Sequence, residues 1–196
     1  MIPFVQARHC GPIRSTDLVR LIVIHTMEAP EKPTTARAVA NWFAGPTAPQ
    51  ASAHYCVDAT DTIQCVADDV VAWGAPGANR VGIHIEHAGY ASQGAAGWAD
   101  EYSQQMLIRS ALLVADLSIR YGIPLERRTV AELADPMAKG LCGHVDITNA
   151  RNGGKGHTDP GPDFPWDEFL RMVADAQRAT DPDLVAVSDE DAGEPS

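Results

Sequence analysis

The sequence has no long apolar run and no excess of basic residues. Its 196 residues contain no apolar stretch close to the roughly 20 residues that a membrane-spanning helix requires. Fifteen Lys and Arg residues against 26 Asp and Glu residues give a net charge of −11, whereas nucleic-acid binding needs a basic face. The chain also begins without a basic segment followed by an apolar one, so we predict no signal peptide. These absences predict a globular protein that neither crosses a membrane nor binds nucleic acid.

The four cysteines exclude a zinc ribbon and a thioredoxin motif, because none lies in a C-x-x-C pair. Cys56 and Cys65 flank residues 59–62 symmetrically, so a hairpin there would set them opposite each other. Packed thiols and a cross-strand disulfide are both compatible with this pattern. Cys142 lies two residues before His144 and is interpreted as a buried apolar residue rather than a metal ligand. A serine or cysteine nucleophile motif is also missing, which argues against a covalent reaction.

Apolar periodicity predicts strands that interleave with helices. Short β-branched or alternating stretches predict strands at residues 19–25, 53–58, 62–66 and 81–87. Helical spacing predicts helices at residues 34–43, 103–121 and 166–179, with a shorter one at 129–134. In the first of these helices, Val39, Trp42 and Phe43 share one side. The predicted fold is therefore α/β, with a mixed central β-sheet and helices packed on it.

The end of the chain differs in composition from the rest. After Ala179 there are six acidic residues, no basic residue and little apolar content. Such a segment cannot bury enough apolar surface to fold by itself. We therefore predict one domain over residues 1–179 and an acidic, disordered tail or linker over residues 180–196.

Two distant segments carry residues that bind metals and catalyse reactions. His25 ends the apolar run 21–24, and residues 143–162 form a predicted glycine-rich loop with two histidines and two aspartates, closed by Pro-Gly-Pro. Together these segments can supply three ligands to one zinc ion and leave a fourth position for water. A strand-end histidine is more often structural, and Asp159 could instead cap a turn. Asp146 is interpreted as a residue that orients the loop or a ligand.

These segments occur in the order that one enzyme family shows. The family pattern is carried by His25 after an apolar strand and by residues 52–55, 81–86, 143–147 and 157–162. On these motifs the chain resembles zinc-dependent N-acetylmuramoyl-L-alanine amidases of the Amidase_2 type, whose fold is shared with peptidoglycan recognition proteins. The resemblance covers roughly residues 4–178. The N-terminal segments 4–9 and 25–30 resemble amidase domains of endolysins from phages of actinobacteria.

The resemblance implies a set of metal ligands and a cationic residue near them. The three zinc ligands of the family fall on His25, His144 and Asp159. The family's catalytic lysine precedes the last ligand by two residues, and that position is His157 here. Lys155 is the alternative, because residues 152–156 resemble an insertion that could bring its side chain to the site.

The resemblance also implies a catalytic carboxylate on the strand 81–87. Glu86 is the preferred candidate, and His84, which shares its face, is the alternative. Family members with a catalytic tyrosine place it just before the hairpin histidine. Ala53 occupies that position here, so Tyr55 is assigned no catalytic role.

The implied reaction is hydrolysis of the amide between N-acetylmuramic acid and L-alanine in peptidoglycan. Zinc would activate a water molecule and polarise the scissile carbonyl. Glu86 would accept the proton of the water and pass it to the leaving amine, while His157 would stabilise the oxyanion. The expected partner is peptidoglycan or muropeptides, acted on by a monomer that is made in a host cytoplasm and released to the wall. A non-catalytic peptidoglycan-binding module and a zinc peptidase acting within the stem peptide remain alternatives.

Overall fold

A computed structural model describes residues 1–180 of the chain. The strands are β1 (Leu21–Thr26), β2 (Tyr55–Val57), β3 (Thr62–Gln64), β4 (Gly82–His87) and β5 (Gly140–Gly143). The helices are α1 (Thr35–Ala44), α2 (Ala95–Trp98), α3 (Glu101–Tyr121), α4 (Val130–Leu133), α5 (His144–Arg151) and α6 (Trp166–Thr180). The predicted tail lies outside the described residues, apart from Thr180. No helix among the described residues is long and apolar enough to cross a membrane.

The five strands form one sheet in the order β3-β2-β4-β1-β5. Strands β2, β4, β1 and β5 run parallel to their neighbours, and β3 is antiparallel to β2. The predicted mixed α/β sheet is thereby confirmed. In the sheet register, Glu86 pairs with His25 on one side and with Cys56 on the other. Paired residues of parallel strands point to the same face, so these three side chains share one face.

The two faces of the sheet have different environments. On one face, Ile22, Ile24, Ile83 and Ile85 are fully buried in a core that includes apolar residues of α3 and α6. The other face carries two smaller cores. One contains residues of α1 and the hairpin β2–β3, and the other contains residues of α4 and α5. Because these cores are separate, the carboxyl ends of β1 and β4 can remain polar between them.

Most predicted elements are present, with ends shifted by one or two residues. The prediction that residues 143–162 form a loop is wrong at its start, because Gly143 ends β5 and residues 144–151 form α5. Strand β5 is four residues long and two of them are glycine, which leaves no periodicity to recognise. Helix α5 begins where the Asp146 Oδ2 atom accepts a hydrogen bond from the Gly143 N–H at 2.8 Å.

The hairpin β2–β3 has a different register from the predicted one. Cys56 pairs with Ile63, not Cys65, because the turn is closed one residue earlier. In that turn the Asp58 N–H donates to the Asp61 carbonyl at 3.0 Å, and the Asp58 side chain accepts from the Asp61 N–H at 2.7 Å. The two thiols are nevertheless diagonal neighbours with their Sγ atoms 3.7 Å apart, and both are free. Cys142 is fully buried, as predicted.

Candidate active site

Three elements bring the predicted metal ligands together. His25 is the penultimate residue of β1, and His144 is the first residue of α5, directly after β5. Asp159 lies in the loop between α5 and α6, where its carbonyl accepts the N–H of Val145 at 2.9 Å. This bond ties the loop back to the start of α5. The three ligand candidates are buried, with only 2%, 2% and 7% of their surfaces exposed.

The ligating atoms of these residues converge on one point. His25 Nδ1 lies 3.0 Å from Asp159 Oδ2, and His144 Nδ1 lies 3.3 Å from Asp159 Oδ1. All three ligating atoms lie within 4.8 Å of one another. A tetrahedral ion with ligands at 2.0–2.1 Å requires ligand–ligand spacings of about 3.3 Å. The cluster is therefore a candidate site for a metal ion, and its donor set fits one.

The charges of this cluster are set by burial and by the contacts between its members. Burial lowers the pKa of His25, against the opposing effect of its hydrogen bond with Asp159. Burial alone would raise the pKa of Asp159, but hydrogen bonds with His144 and His25 outweigh it and hold that pKa well below its usual range. A neutral His25 imidazole beside an ionised Asp159 carboxylate is the combination of protonation states in which these two groups bind metals.

A cavity of about 190 Å³ opens onto the cluster. Its polar wall contains the three ligand candidates together with Thr26, Glu28, Ser52, Glu86 and His157. Its remaining wall is mostly apolar and comes from Trp42, Phe43, Ala51, Trp73 and Gly74. A pocket that combines an apolar wall with convergent polar groups is typical of a site that binds and orients a small part of a substrate.

Glu86 lies in this cavity beside the metal-ligand candidates. Its Oε2 atom is buried and has no hydrogen-bond partner among the described residues. Burial, reinforced by the negative charge of Asp159, raises the pKa of the Glu86 carboxyl well above its usual value. A carboxyl group with a raised pKa and no structural partner is suited to proton transfer.

His157 also contributes to the cavity wall, but with an exposed ring. The ring stacks on that of His144, with centroids 3.8 Å apart, and its Nδ1 lies 3.6 Å from Asp159 Oδ1. Partial burial lowers its pKa, and the neighbouring His144 lowers it further. The alternative residue, Lys155, is exposed and does not line the cavity.

His84 and Asp146 take supporting positions outside the cavity. The His84 ring is fully buried behind His25, with its Nδ1 atom 3.1 Å from His25 Nε2. Asp146 contacts none of the three ligand candidates through a hydrogen bond, and its side chain caps α5 instead. It therefore orients the beginning of the helix that carries His144.

Sequence reasoning assigned no role in the site to Trp42 or Glu28, although both line the cavity. Trp42 shares a helix side with Val39 and Phe43, yet it is 51% exposed and lines the cavity. Glu28 has a positive φ of 50°, which is unusual for a residue other than glycine. Its Oε1 accepts hydrogen bonds from the Thr26 hydroxyl and the Ala91 N–H, both at 2.8 Å. The sequence signal that could have indicated Glu28 was its position in the chain, because it closely follows the strand end that carries the ligand candidate His25.

An α/β sheet with a buried His/His/Asp cluster beside an unpartnered carboxylate defines a candidate metallohydrolase. The chain belongs to the N-acetylmuramoyl-L-alanine amidase family Amidase_2, whose model matches residues 15–162. Membership of this family identifies the chain as an amidase that acts on peptidoglycan. The predicted family and the predicted enzyme class are therefore confirmed. A comparison with curated proteins found no significant match.

Solved structures of the same fold include bacterial hydrolases and endolysins. The Staphylococcus aureus hydrolase AmiA, solved with its ligand, has a TM-score of 0.68 at 16% identity, covering 92% of this chain and 84% of that chain. An AmpD derivative has a TM-score of 0.62 at 21% identity, covering 88% and 94%. The N-acetylmuramoyl-L-alanine amidase LysC from Clostridium intestinale has a TM-score of 0.56 at 16% identity, covering 89% and 97%. At these identities the similarity establishes the fold.

Proposed function

We propose that the chain is a zinc-dependent amidase that hydrolyses the bond between N-acetylmuramic acid and L-alanine. In this proposal His25, His144 and Asp159 hold the metal, while Glu86 and His157 act on the reacting amide. The observation that carries it is the convergence of three ligating atoms within 4.8 Å of one another, in the cavity that Glu86 also lines.

The donor set favours zinc over the common alkaline-earth ions. Two imidazole nitrogens and one carboxylate oxygen are typical zinc ligands, whereas Mg²⁺ and Ca²⁺ prefer oxygen ligands throughout. Three protein ligands leave one position free, which is the arrangement of catalytic zinc sites. When bound, zinc would supply Lewis-acid chemistry, lowering the pKa of a water molecule and polarising the scissile carbonyl.

Glu86 is the proposed general base and general acid. Its carboxylate would accept a proton from the attacking water and pass it to the nitrogen of the leaving L-alanine. The raised pKa of this buried group supports both steps, because it strengthens the carboxylate as a base and retains the proton until the amine leaves. A nearby divalent cation would lower this pKa and so oppose the effect of burial.

His157 is the proposed donor to the oxygen that gains negative charge. Its ring is held by stacking on His144, and an N–H of this ring could reach an oxyanion in the cavity. The apolar wall formed by Trp42, Phe43 and Trp73 would exclude water and pack against the substrate near the bond that breaks.

Digestion of defined muropeptides tests the reaction and the metal site together. We expect mass spectrometry to detect peptides with a free N-terminal L-alanine and sugars without a peptide. His144→Ala should lose activity and bound zinc in parallel, whereas Asn149→Ala, at an exposed position of the same helix, should retain both. Fragments cut within the stem peptide, or a fully active His144→Ala enzyme, would contradict the proposal.

A further inference from the structure

A row of buried side chains lies behind His25 on the side away from Asp159. His25 Nε2 is 3.1 Å from His84 Nδ1, and His84 is fully buried. The next ring in the row is His54, which stacks on His84 with centroids 5.6 Å apart. Arg14 follows, with Nη2 at 3.1 Å from His54 Nε2. None of His84, His54 and Arg14 lines the catalytic cavity, so the proposed chemistry leaves this row without a role.

Backbone hydrogen bonds determine the tautomer of His54, and metal binding through His25 Nδ1 would determine the tautomers of His25 and His84. A neutral His25 that offers Nδ1 to a metal carries its proton on Nε2, and His84 Nδ1 must then accept that proton in a hydrogen bond. His54 Nδ1 accepts from the backbone N–H of His84 at 3.0 Å. The proton of the neutral His54 ring is therefore on Nε2, which lies 3.1 Å from the Val70 carbonyl. Burial and the charge of Arg14 lower the pKa of His54 to about 3, which keeps that ring neutral.

The space around the His84 ring is shaped for an imidazole. A Cβ atom added at Gly74 would lie 2.6 Å from His84 Cγ, and one added at Gly82 would lie 3.1 Å from His84 Nε2. The backbone at Gly74 and at Gly82 therefore packs closely against the His84 ring, where any larger residue would clash with it. His84 Nε2 is buried without a hydrogen-bond partner among the described residues. A buried unsatisfied polar atom costs stability, so a well-packed apolar residue would suit a purely structural role better.

We infer that His84 is a positioning residue that fixes the tautomer and ring orientation of His25 for metal binding. The contact that carries this inference is the 3.1 Å approach of His84 Nδ1 to His25 Nε2. His84 acts through His25 and does not touch the substrate, which separates its role from that of Glu86. The inference rests on the proposed function, because it takes His25 to be a metal ligand through Nδ1.

Two amide substitutions of His84 separate positioning from packing. The side-chain oxygen of Asn can occupy the place of Nδ1, whereas the longer Gln carries its oxygen nearer the place of Nε2. We expect His84→Asn to keep the zinc dissociation constant within a few-fold of wild type, measured by competition with a chelator. His84→Gln and His84→Leu should weaken zinc binding about 10- to 100-fold, the usual effect of losing such a partner. The Co²⁺-substituted His84→Asn protein should retain the wild-type absorption spectrum, and that of His84→Gln should change.

Leu133→Ala is the control for general destabilisation, because Leu133 is fully buried in the core on the same face and is not among the metal-ligand candidates. It should lower the melting temperature without changing zinc affinity. Equal zinc affinities and spectra for His84→Asn and His84→Gln would overturn the inference, even if His84→Leu failed to fold. Failure of the wild-type protein to bind zinc would instead overturn the proposed function, so the two failures are distinguishable.

Discussion

Glu86 and His84 lie two residues apart on β4 and share one face of the sheet, but only Glu86 lines the cavity. Two residues along the strand correspond to about 7 Å. That distance separates the carboxyl end of β4, where the cavity opens, from the interior of the sheet, where His84 meets His25. The alternating sequence pattern could identify the face that the two side chains share. It could not show how deeply each side chain is buried, since that depends on how far α1 and α5 cover the sheet.

Glu86→Gln tests the proton-transfer role of this carboxyl. We expect kcat on muropeptides to fall about 10²–10⁴-fold, the usual loss for a general acid–base residue. Zinc content should stay at the wild-type level, because Glu86 is not among the metal-ligand candidates. Since the substitution replaces an unpaired buried carboxyl with an isosteric amide, the melting temperature should not fall substantially. Glu101→Gln, at an exposed position of α3, is the matched control. Near-wild-type activity of Glu86→Gln would exclude the role.

His157→Ala and Lys155→Ala decide which side chain stabilises the oxyanion. We expect His157→Ala to lower kcat about 10²–10³-fold, the usual loss for one oxyanion donor. Lys155→Ala should remain close to wild type, because Lys155 is exposed and does not line the cavity. Steady-state kinetics on one muropeptide measure both. The reverse pattern, an inactive Lys155→Ala and an active His157→Ala, would assign the role to Lys155.

Strands β1 and β4 were predictable from sequence because their apolar residues are β-branched or alternate with polar ones. Strand β5 and helix α5 were not, because their formation depends on partners elsewhere in the fold. β5 gains its hydrogen bonds from β1, where Leu141 pairs with Ile22, and from residues 126–128 on its other side. α5 is only eight residues long and its start depends on the cap from Asp146. Residues 143–151 were predicted to be a loop because their sequence alone shows no strand or helix periodicity. Contacts with other parts of the fold make them the end of a strand and a helix.

The loop that carries Asp159 depends on glycine at position 161. Gly161 has a φ of +95°, and an added Cβ atom would lie 1.9 Å from the carbonyl oxygen of Ala91. We expect Gly161→Ala to lower the free energy of unfolding by more than the roughly 1–2 kcal/mol of a left-handed alanine alone, because a backbone segment must also move. Metal affinity should fall with it, since Asp159 lies two residues away.

Gly122→Ala provides the comparison for this substitution. Gly122 ends α3 with a φ of +59°, and an added Cβ atom would meet nothing within 4 Å. Its substitution should therefore cost only the backbone strain and leave zinc binding unchanged. Chemical denaturation measures both variants. Equal losses of stability would show that the contact with Ala91 is not rigid.

The complete site is assembled from distant parts of the chain. His25, Glu86 and His144 come from three neighbouring strands or their ends, and α1 supplies two of the aromatic residues of the cavity, Trp42 and Phe43. The sequence motifs and the family resemblance predicted the ligand candidates and favoured Glu86 over His84 as the catalytic residue, and these roles stay predictions. The aromatic wall of the cavity was not predicted from the sequence. Trp42 has the spacing of a core residue, and only the position of α1 over the sheet turns it toward the cavity.

The catalytic domain is expected to end with α6. The buried face of this helix, which includes Phe169, Val173 and Ala176, contributes to the core shared with α3, and Thr180 is already exposed.

A chain truncated after Thr180 loses six acidic residues and no basic one, so its net charge changes from −11 to −5. Because α6 and its buried face are retained whole, we expect kcat/KM on soluble muropeptides to stay within about two-fold of wild type and the melting temperature to change little. A second truncation after Leu170 would remove Val173 and Ala176 from the core, and we expect it to lower the melting temperature sharply. Thermal unfolding and kinetics of the two truncated proteins test this boundary. A large loss of activity after removal of residues 181–196 alone would mean that this segment contributes to the domain or to its site.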